Sequence, residues 1–244
     1  MNLDRAQHAA RRLVDPLLAV VFPSACPGCG ALLAHPGQGP LCEACWRALP
    51  RHRGAACGCG LPLLPGAALC GRCRRGRQPF TAGASLGPYE GSLRVLLHQL
   101  KYAGRRRAAA RLAALLLEEE RVRRLLRTSE VLVPVPLHPR RLRERGFNQS
   151  ALIAEELARR CGRLFCPDAL VRRRDTVPQA GLKAAERRRN VRDAFVVRRR
   201  ACICGRVVTL VDDVVTTGAT AQACARALAE AGAAELRLLT AARA

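Results

Sequence analysis

The pattern of apolar residues changes near Phe80, and this change divides the chain in two. Residues 3–22 carry apolar side chains at helical spacing and predict a short amphipathic helix that ends at Pro23. Residues 24–78 show no helical or strand period and are rich in Cys, Gly and Pro. A segment of this size buries too little apolar surface to fold without disulfides or a bound metal.

After residue 78 the pattern predicts strands and helices in alternation. Short apolar runs predict strands at 82–86, 131–135, 207–211 and 235–240. Apolar residues at helical spacing predict helices at 93–100, 107–126, 147–160 and 219–231. An Arg-rich loop is expected after residue 136, and residues 172–200, with 11 basic and 3 acidic side chains, predict a mobile loop. The order of the elements predicts an α/β domain, with a parallel sheet flanked by helices, over residues 79–244.

The charge of the chain indicates a partner that carries phosphate groups. There are 42 Lys and Arg residues against 19 Asp and Glu, a formal net charge of +23, and Lys occurs only at positions 101 and 183. Arg binds phosphate groups bidentately, so nucleic acid or a small anionic substrate is indicated. Codon bias toward GC-rich DNA would explain Arg in place of Lys, but it does not explain the excess of basic over acidic residues.

Eight of the thirteen cysteines fall in close pairs, which suit a metal better than disulfides. They form two sets of four, namely Cys26, Cys29, Cys42 and Cys45, then Cys57, Cys59, Cys70 and Cys73. Two Cys-x2-Cys pairs 12 residues apart make the first set typical of a Zn²⁺ site. In the second set Cys57-x-Cys59 is one residue short, and His35 or His52 would be a substitute ligand. Four thiolates leave no open coordination position, so two structural zinc ions are expected, with redox or disulfide roles as the alternative.

The first residues faintly resemble a lipoprotein signal, because Arg11-Arg12 precede an apolar run that ends at Ser24-Ala25-Cys26. Asp15-Pro16 interrupts this run, and Cys26 already belongs to a metal pair. No stretch approaches the ~20 apolar residues of a membrane span. We therefore expect a cytoplasmic protein without a membrane span.

The stretch from Val207 to Thr220 combines the features of a ligand site. An apolar strand ends in two carboxylates, and a turn rich in Thr and Gly opens a helix, whose N-terminal N–H groups and partial positive charge receive phosphate. Adjacent carboxylates suit a ligand that also offers hydroxyl donors or a metal, such as a ribose 5-phosphate. An ordinary capped βα turn is the alternative. The predicted binding residues are Asp212, Asp213, Val214, Val215, Thr216, Thr217, Gly218, Ala219 and Thr220.

This stretch resembles the motif of type I phosphoribosyltransferases that binds phosphoribosyl pyrophosphate (PRPP). Residues 133–136 together with Arg145 to Ser150 resemble the second hallmark of the ComF family, which joins a double zinc ribbon to a type I phosphoribosyltransferase-like domain. Further residues that resemble the family are Phe22-Pro23, His98 to Tyr102, Gln179, Arg187 and Asn190. The shortened Cys57-x-Cys59 departs from the family pattern. The resemblance implies a double zinc ribbon at 24–78 and the phosphoribosyltransferase-like domain at 79–244, after the N-terminal helix that the apolar spacing predicts within residues 1–23.

The resemblance also implies a ligand and a biological role. Mg²⁺-PRPP would occupy Asp212 to Thr220, Arg140 and Arg141 would meet the leaving pyrophosphate, and residues 173–190 would close over the site. ComF-family proteins are associated with DNA uptake during natural transformation, which implies single-stranded DNA and other competence proteins as partners.

No residue stands out as a general base, so the sequence leaves three functions open. The chain is an accessory factor in DNA uptake that uses PRPP, a PRPP-binding regulatory protein without turnover, or a phosphoribosyltransferase acting on an unidentified small acceptor. Aromatic residues make up only 3% of the chain, so binding of single-stranded DNA would be mainly electrostatic.

Overall fold

The protein is described by a computed structural model that covers residues 24–34, 39–76, 78–101, 106–174 and 193–244. The predicted N-terminal helix at 3–22 and most of the predicted mobile loop lie outside these ranges, as does His35.

Five parallel strands form the central sheet, in the order β1-β7-β6-β2-β3, and two further strands form an antiparallel ribbon. The strands are β1 (Ala82–Pro88), β2 (Val131–Pro134), β3 (Leu164–Phe165), β4 (Leu170–Arg172), β5 (Phe195–Val197), β6 (Val207–Val215) and β7 (Glu235–Arg243). Strands such as β2 are apolar throughout because both faces of the parallel sheet are covered. The predicted fold class, an α/β fold with a parallel sheet flanked by helices, is confirmed.

Helices cover both faces of the sheet. They are α1 (Glu43–Arg47), α2 (Gly71–Arg74), α3 (Gly91–Gln99), α4 (Arg106–Glu118), α5 (Glu120–Arg127), α6 (Pro139–Arg145), α7 (Gln149–Cys161) and α8 (Ala219–Glu230), with a 3-10 turn at Arg200–Cys202. The apolar sides of α3, α4, α5 and α7 form one core with one face of the sheet. Helix α8 and the β4–β5 ribbon form a second core with the other face.

Four boundaries differ from the prediction. The helix predicted at 107–126 is two helices that break at Glu119, whose backbone is extended (φ −75°, ψ 120°). The Arg-rich segment after β2 contains α6, which has Pro139 in its first turn and ends at left-handed Gly146 (φ 78°). The ends of the predicted loop at 172–200 belong to β4 and β5. Strand β6 continues past Val211, because Asp212, Val214 and Val215 all pair with β7.

The cysteine-rich segment lies along the outer edge of β1. The backbone N–H of His52 donates to the carbonyl of Leu86 (2.8 Å), and that of Gly83 donates to the carbonyl of Gly58 (2.8 Å). This approach requires glycine, because a Cβ on Gly87 would lie 1.9 Å from the carbonyl oxygen of Pro50. An exposed edge strand invites pairing with another chain, and here the segment covers it.

The same segment contributes side chains to the core of the α/β domain. Trp46 is 2% exposed and belongs, with Leu33, Leu41 and Leu49, to the core formed by α3, α4, α5 and α7. The guanidinium of Arg111 on α4 lies 4.4 Å from the centre of the Trp46 ring. The described parts of the zinc-binding segment and the α/β domain therefore share one apolar core.

Candidate functional site

The two sets of cysteines each converge on a single point. Within each set, Cys26, Cys29, Cys42 and Cys45 or Cys57, Cys59, Cys70 and Cys73, the sulfur atoms all lie within 4.8 Å of one another. The Sγ atoms of Cys29 and Cys42 are 3.6 Å apart, as are those of Cys59 and Cys70. Tetrahedral Zn–S bonds of about 2.3 Å place sulfurs about 3.8 Å apart, so both sets fit one zinc ion each. The short Cys57-x-Cys59 pair reaches its cluster, and His52 belongs to neither group.

Backbone N–H groups favour the thiolate form that zinc requires. The N–H of Cys42 donates to the Sγ of Cys26, and the N–H of Cys73 donates to the Sγ of Cys70, both at 3.4 Å. For Cys57, the backbone N–H of Cys70 is the largest of the causes that lower the pKa of the thiol to about 6. Donors from these turns and short helices therefore lie beside sulfur atoms of both clusters.

Asp212 and Asp213 are the sixth and seventh of the nine residues of β6, and they face different surroundings. Asp212 is 7% exposed, and its Oδ1 accepts hydrogen bonds from the Ser150 hydroxyl (3.1 Å) and the Asp213 N–H (3.0 Å). Burial raises the pKa of Asp212 well above its usual value, and the charge of Asp213 raises it further. Asp213 is partly exposed, and its Oδ1 accepts from the N–H of Val214 (2.9 Å). Asp213 is therefore the carboxylate of the pair that a ligand can reach.

Residues 216–220, here called the phosphate loop, comprise the turn that joins β6 to α8 and the first two residues of that helix. Gly218 is the N-cap of α8 with a left-handed backbone (φ 73°), and it has no side chain to occupy the first N–H groups of the helix. The hydroxyl of Thr217 accepts from the N–H of Ala219 (3.4 Å), while Thr216 is exposed and Thr220 partly exposed. The loop thus offers backbone donors and hydroxyl groups beside the two carboxylates, an arrangement suited to an anion.

The chain segment that carries Arg140 and Arg141 leaves the sheet beside this loop. Strand β2 is the parallel neighbour of β6, with Pro134 opposite Val211, so both strands end at the same edge. The Nε of Arg140 donates to Glu144 (2.9 Å), one turn later in α6, and the Arg140 side chain is 68% exposed. Contact of Arg140 and Arg141 with pyrophosphate stays a prediction.

Two features of the site were not anticipated from the sequence. Ser150 lies within the segment from Arg145 to Ser150 that the sequence singled out. Its hydrogen bond to Asp212 depends on where α7 meets β6. Arg72 lies between the ligands Cys70 and Cys73 and donates to the carbonyl of Thr217 in the phosphate loop. The only sequence signal for Arg72 is its place in a zinc knuckle, which carries no information about a loop 145 residues away.

A cavity of about 480 Å³ lies beside α6 and the start of α7. Its lining is mainly apolar and includes Pro136, Phe147, Phe165 and Leu170. Asn148, the N-cap of α7, also lines it and donates to the carbonyl of Val135 (2.9 Å). The cavity lies next to the segment that follows β2 and contains none of the residues 212–220.

Comparison with known proteins identifies the zinc-binding segment and several relatives of the whole chain. Residues 17–74 match the family model for a double zinc ribbon domain. DNA utilization protein YhgH of Salmonella typhimurium is 39% identical over 202 residues, which cover 81% of this chain and 88% of that protein. The protein of the same name from Escherichia coli K12 is 37% identical, over 83% of this chain and 89% of the relative. Competence protein F of Haemophilus influenzae is 30% identical, over 86% of this chain and 93% of the relative.

Solved structures show only distant similarity. The allosteric regulatory enzyme of purine biosynthesis aligns at 21% identity and a TM-score of 0.38, over 59% of this chain and 30% of that one. Protein TT1426 from Thermus thermophilus aligns at 22% identity and a TM-score of 0.30, over 57% of this chain and 74% of that one. Scores this low support no functional argument.

Among the described residues, no helix is both long and apolar enough to cross a membrane. Identities of 30 to 39% over more than four fifths of the chain show that it belongs to the ComF family, the family of competence protein F and DNA utilization protein YhgH.

Proposed function

We propose that this protein binds Mg²⁺-PRPP at Asp212 to Thr220 and acts as an accessory factor in DNA uptake and utilization. The observation that carries the proposal is the position of Asp213, a partly exposed carboxylate directly before a loop that caps the N-terminus of α8. Few ligands suit a carboxylate and an anion cradle together. A ribose phosphate does, because it offers hydroxyl donors at one end and phosphate oxygens at the other.

Each part of the site then has a defined role. The backbone N–H groups and hydroxyls of the phosphate loop would hold the 5-phosphate, and Asp213 would accept the ribose hydroxyls. Buried Asp212 would hold Ser150 and the backbone of Asp213 in place, as it does in the ligand-free protein. Mg²⁺ that entered with PRPP would supply positive charge beside the two carboxylates. Arg140 and Arg141 would stabilise the pyrophosphate.

The fate of the bound PRPP divides the proposal into two forms. In a regulatory protein PRPP is held without turnover. In a transferase an acceptor displaces pyrophosphate from the anomeric carbon, and catalysis is electrostatic and positional. Release of pyrophosphate that depends on an added acceptor, measured with purified protein and Mg²⁺-PRPP, separates the two forms.

The relatives' names, DNA utilization protein and competence protein, support the biological half of the proposal. Direct binding of single-stranded DNA is a second candidate function. It is favoured by the formal net charge of +23, which is far more than one PRPP molecule requires.

The test of PRPP binding is titration calorimetry with Mg²⁺-PRPP on the wild type and on Asp213→Asn. The variant should bind about 10- to 150-fold more weakly, because loss of a charged hydrogen bond costs roughly 1.5 to 3 kcal/mol. Glu230→Gln, an exposed carboxylate at the far end of α8, is the control and should leave affinity unchanged. Unchanged affinity in both Asp212→Asn and Asp213→Asn would show that the ligand lies elsewhere.

A further inference from the structure

We propose that the second zinc ribbon, residues 55–76, is part of the ligand site, with Arg72 as the residue that positions the phosphate loop. This inference rests on the proposed function only where it concerns affinity, since it takes the phosphate loop as the place where PRPP binds. The positioning itself is a property of the ligand-free chain. The zinc-ribbon fold alone requires no such contact.

The zinc cluster fixes the point from which Arg72 extends. Arg72 belongs to α2, a helix of four residues that follows Cys70, its N-cap, and contains Cys73. The N–H of Cys73 donates to the Sγ of Cys70 (3.4 Å), and the N–H of Arg74 donates to the carbonyl of Cys70 (3.0 Å). These two hydrogen bonds hold the turn against Cys70, and zinc bound by Cys70 and Cys73 would fix the backbone from which the Arg72 side chain extends.

The guanidinium of Arg72 then lies against the backbone of the phosphate loop. Its Nη2 donates to the carbonyl of Thr217, and its Nη1 lies 3.0 Å from the position that a Cβ on residue 218 would occupy. Glycine at 218 therefore suits the left-handed turn and leaves room for the guanidinium of Arg72. A guanidinium has five N–H donors, so the bond to Thr217 leaves donors and a full positive charge beside the loop.

A second arginine ties the same ribbon to the strand that leads into the loop. Arg243, at the end of β7, is 7% exposed, and its Nη2 donates to the carbonyl of Cys59 (3.3 Å). Arg243 pairs with Val215 across the sheet, and the N–H of Ala244 donates to the carbonyl of Val215 (3.0 Å). Val215 is the last residue before the phosphate loop. The second ribbon thus contacts the loop through Arg72 and the end of β6 indirectly through Arg243.

Charge balance supports the same arrangement. A zinc ion held by four thiolates carries a net charge of about −2, which two arginines beside the cluster would offset. The first ribbon contacts the α/β domain differently, since Trp46 and Leu41 lie in the apolar core. The two ribbons therefore have different roles, with the first built into the core and the second placed on the ligand loop.

The test compares Arg72→Gln with Arg74→Gln, an exposed arginine on the same helix. Amide hydrogen exchange of a peptide spanning 215–221, measured without ligand, should speed up several-fold in Arg72→Gln and stay unchanged in Arg74→Gln. Affinity for Mg²⁺-PRPP should fall about 10-fold in Arg72→Gln, because one charged donor is lost from the loop. Zinc content should remain about two per chain, since no ligand is altered. Arg72→Lys keeps the charge with a single amine and should restore part of the affinity.

Each result decides between the two proposals. Unchanged exchange in Arg72→Gln overturns the positioning role, whatever the affinity. Faster exchange with unchanged affinity overturns the link between the ribbon and the ligand. Faster exchange in a protein whose wild type fails to bind PRPP removes the proposed function and leaves the positioning role intact. If Arg72→Gln loses zinc, the same measurements on Arg72→Lys decide the question.

Discussion

Burial of Asp212 has an energetic cost, because the carboxyl lies in the interior next to a second acid. Burial raises its pKa, and the neighbouring charge of Asp213 raises it further. The Ser150 hydroxyl and the Asp213 N–H offset part of this cost by donating to Oδ1. A buried acid that destabilises the empty protein is typical of sites organised for a ligand.

The stability of the ligand-free protein should therefore depend on pH at this residue. The pKa of Asp212 in the folded state lies above its unfolded value of about 3.9, so the folded state holds its proton more tightly. The stability that the neutral carboxyl of Asp212 contributes is fully present below about pH 4. It is lost as the pH rises through the pKa of the folded state. Asp212→Asn should consequently be more stable than the wild type at neutral pH, by roughly 1.4 kcal/mol for each unit by which the pKa is raised.

Urea unfolding at pH 4.5 and pH 7.5 without ligand measures this difference. The advantage of Asp212→Asn should be larger at the higher pH, while affinity for PRPP falls. Asp168→Asn, whose side chain is 67% exposed, is the control and should show no such trend. An advantage equal at both pH values would mean that the charge of Asp212 is not the cause.

At the scale of elements, β1 joins the zinc-binding segment to the sheet through close backbone contacts. A Cβ on Gly83 would lie 2.2 Å from the carbonyl oxygen of Cys59, and one on Gly87 would lie 1.9 Å from that of Pro50. Neither glycine has a left-handed backbone. The two residues are glycine because another chain segment lies where a side chain would project.

Gly87→Ala should therefore destabilise the protein by about 1 to 3 kcal/mol, the usual cost of forcing extra volume into a packed site. Thermal unfolding followed by circular dichroism gives the change. Gly58→Ala is a matched control on the ribbon side, since its Cβ would meet only the carbonyl oxygen of Thr81 at an ordinary 3.7 Å. Equal stability of the wild type and Gly87→Ala would indicate that the segment moves away from β1 at little cost.

The elements that the sequence predicted best are those whose apolar pattern depends on local packing. Strands at 82–86, 131–135 and 207–211 and the helix at 219–231 were found close to their predicted positions, because a buried strand or an amphipathic helix has a strong local signal. Helix α6 has no apolar period, since its sequence from Pro139 to Arg145 is largely charged and only its caps define it.

The remaining differences arise from contacts that are distant in the sequence. Strand β6 runs on through Asp212 and Asp213 because β7 pairs with it, and the acids themselves would not predict a strand. In the zinc clusters, spacing predicted the eight cysteines that converge in two groups of four, because metal geometry is imposed over short loops. Arg72 and Ser150 were missed since their partners lie in segments that meet only in the folded chain.

At the scale of the whole molecule, the excess of positive charge predicts an electrostatic mode of DNA binding. With few aromatic side chains to stack on bases, affinity should depend mainly on phosphate contacts. An exposed cluster near the cavity beside α6 consists of Arg198, Arg199 and Arg200. Such a cluster would bind single strands with little sequence preference.

Replacing Arg198, Arg199 and Arg200 by Ala should reduce the salt dependence of single-stranded DNA binding. Each phosphate contact contributes about −0.7 to the slope of log affinity against log salt, so the slope should shrink by up to about two units. Fluorescence anisotropy with a labelled oligonucleotide across a salt series measures it. Arg159 and Arg160, both paired with Glu156, are the control, and their replacement should change the slope less. Binding that is absent at low salt, or insensitive to salt, removes DNA from the partners of this protein.

The sheet order has a consequence for how the chain is made. Strand β1 has β7 as its sheet neighbour, with Ala82 opposite Arg237, so about 150 residues must be synthesised before that pairing forms. At 5 to 20 residues per second this takes roughly 8 to 30 s on the ribosome. The zinc ribbons emerge first, and the backbone bonds that they make to β1 in the folded chain would cover its other edge in the meantime. When zinc is scarce, nascent chains would then aggregate during translation, before any loss of stability in the finished protein.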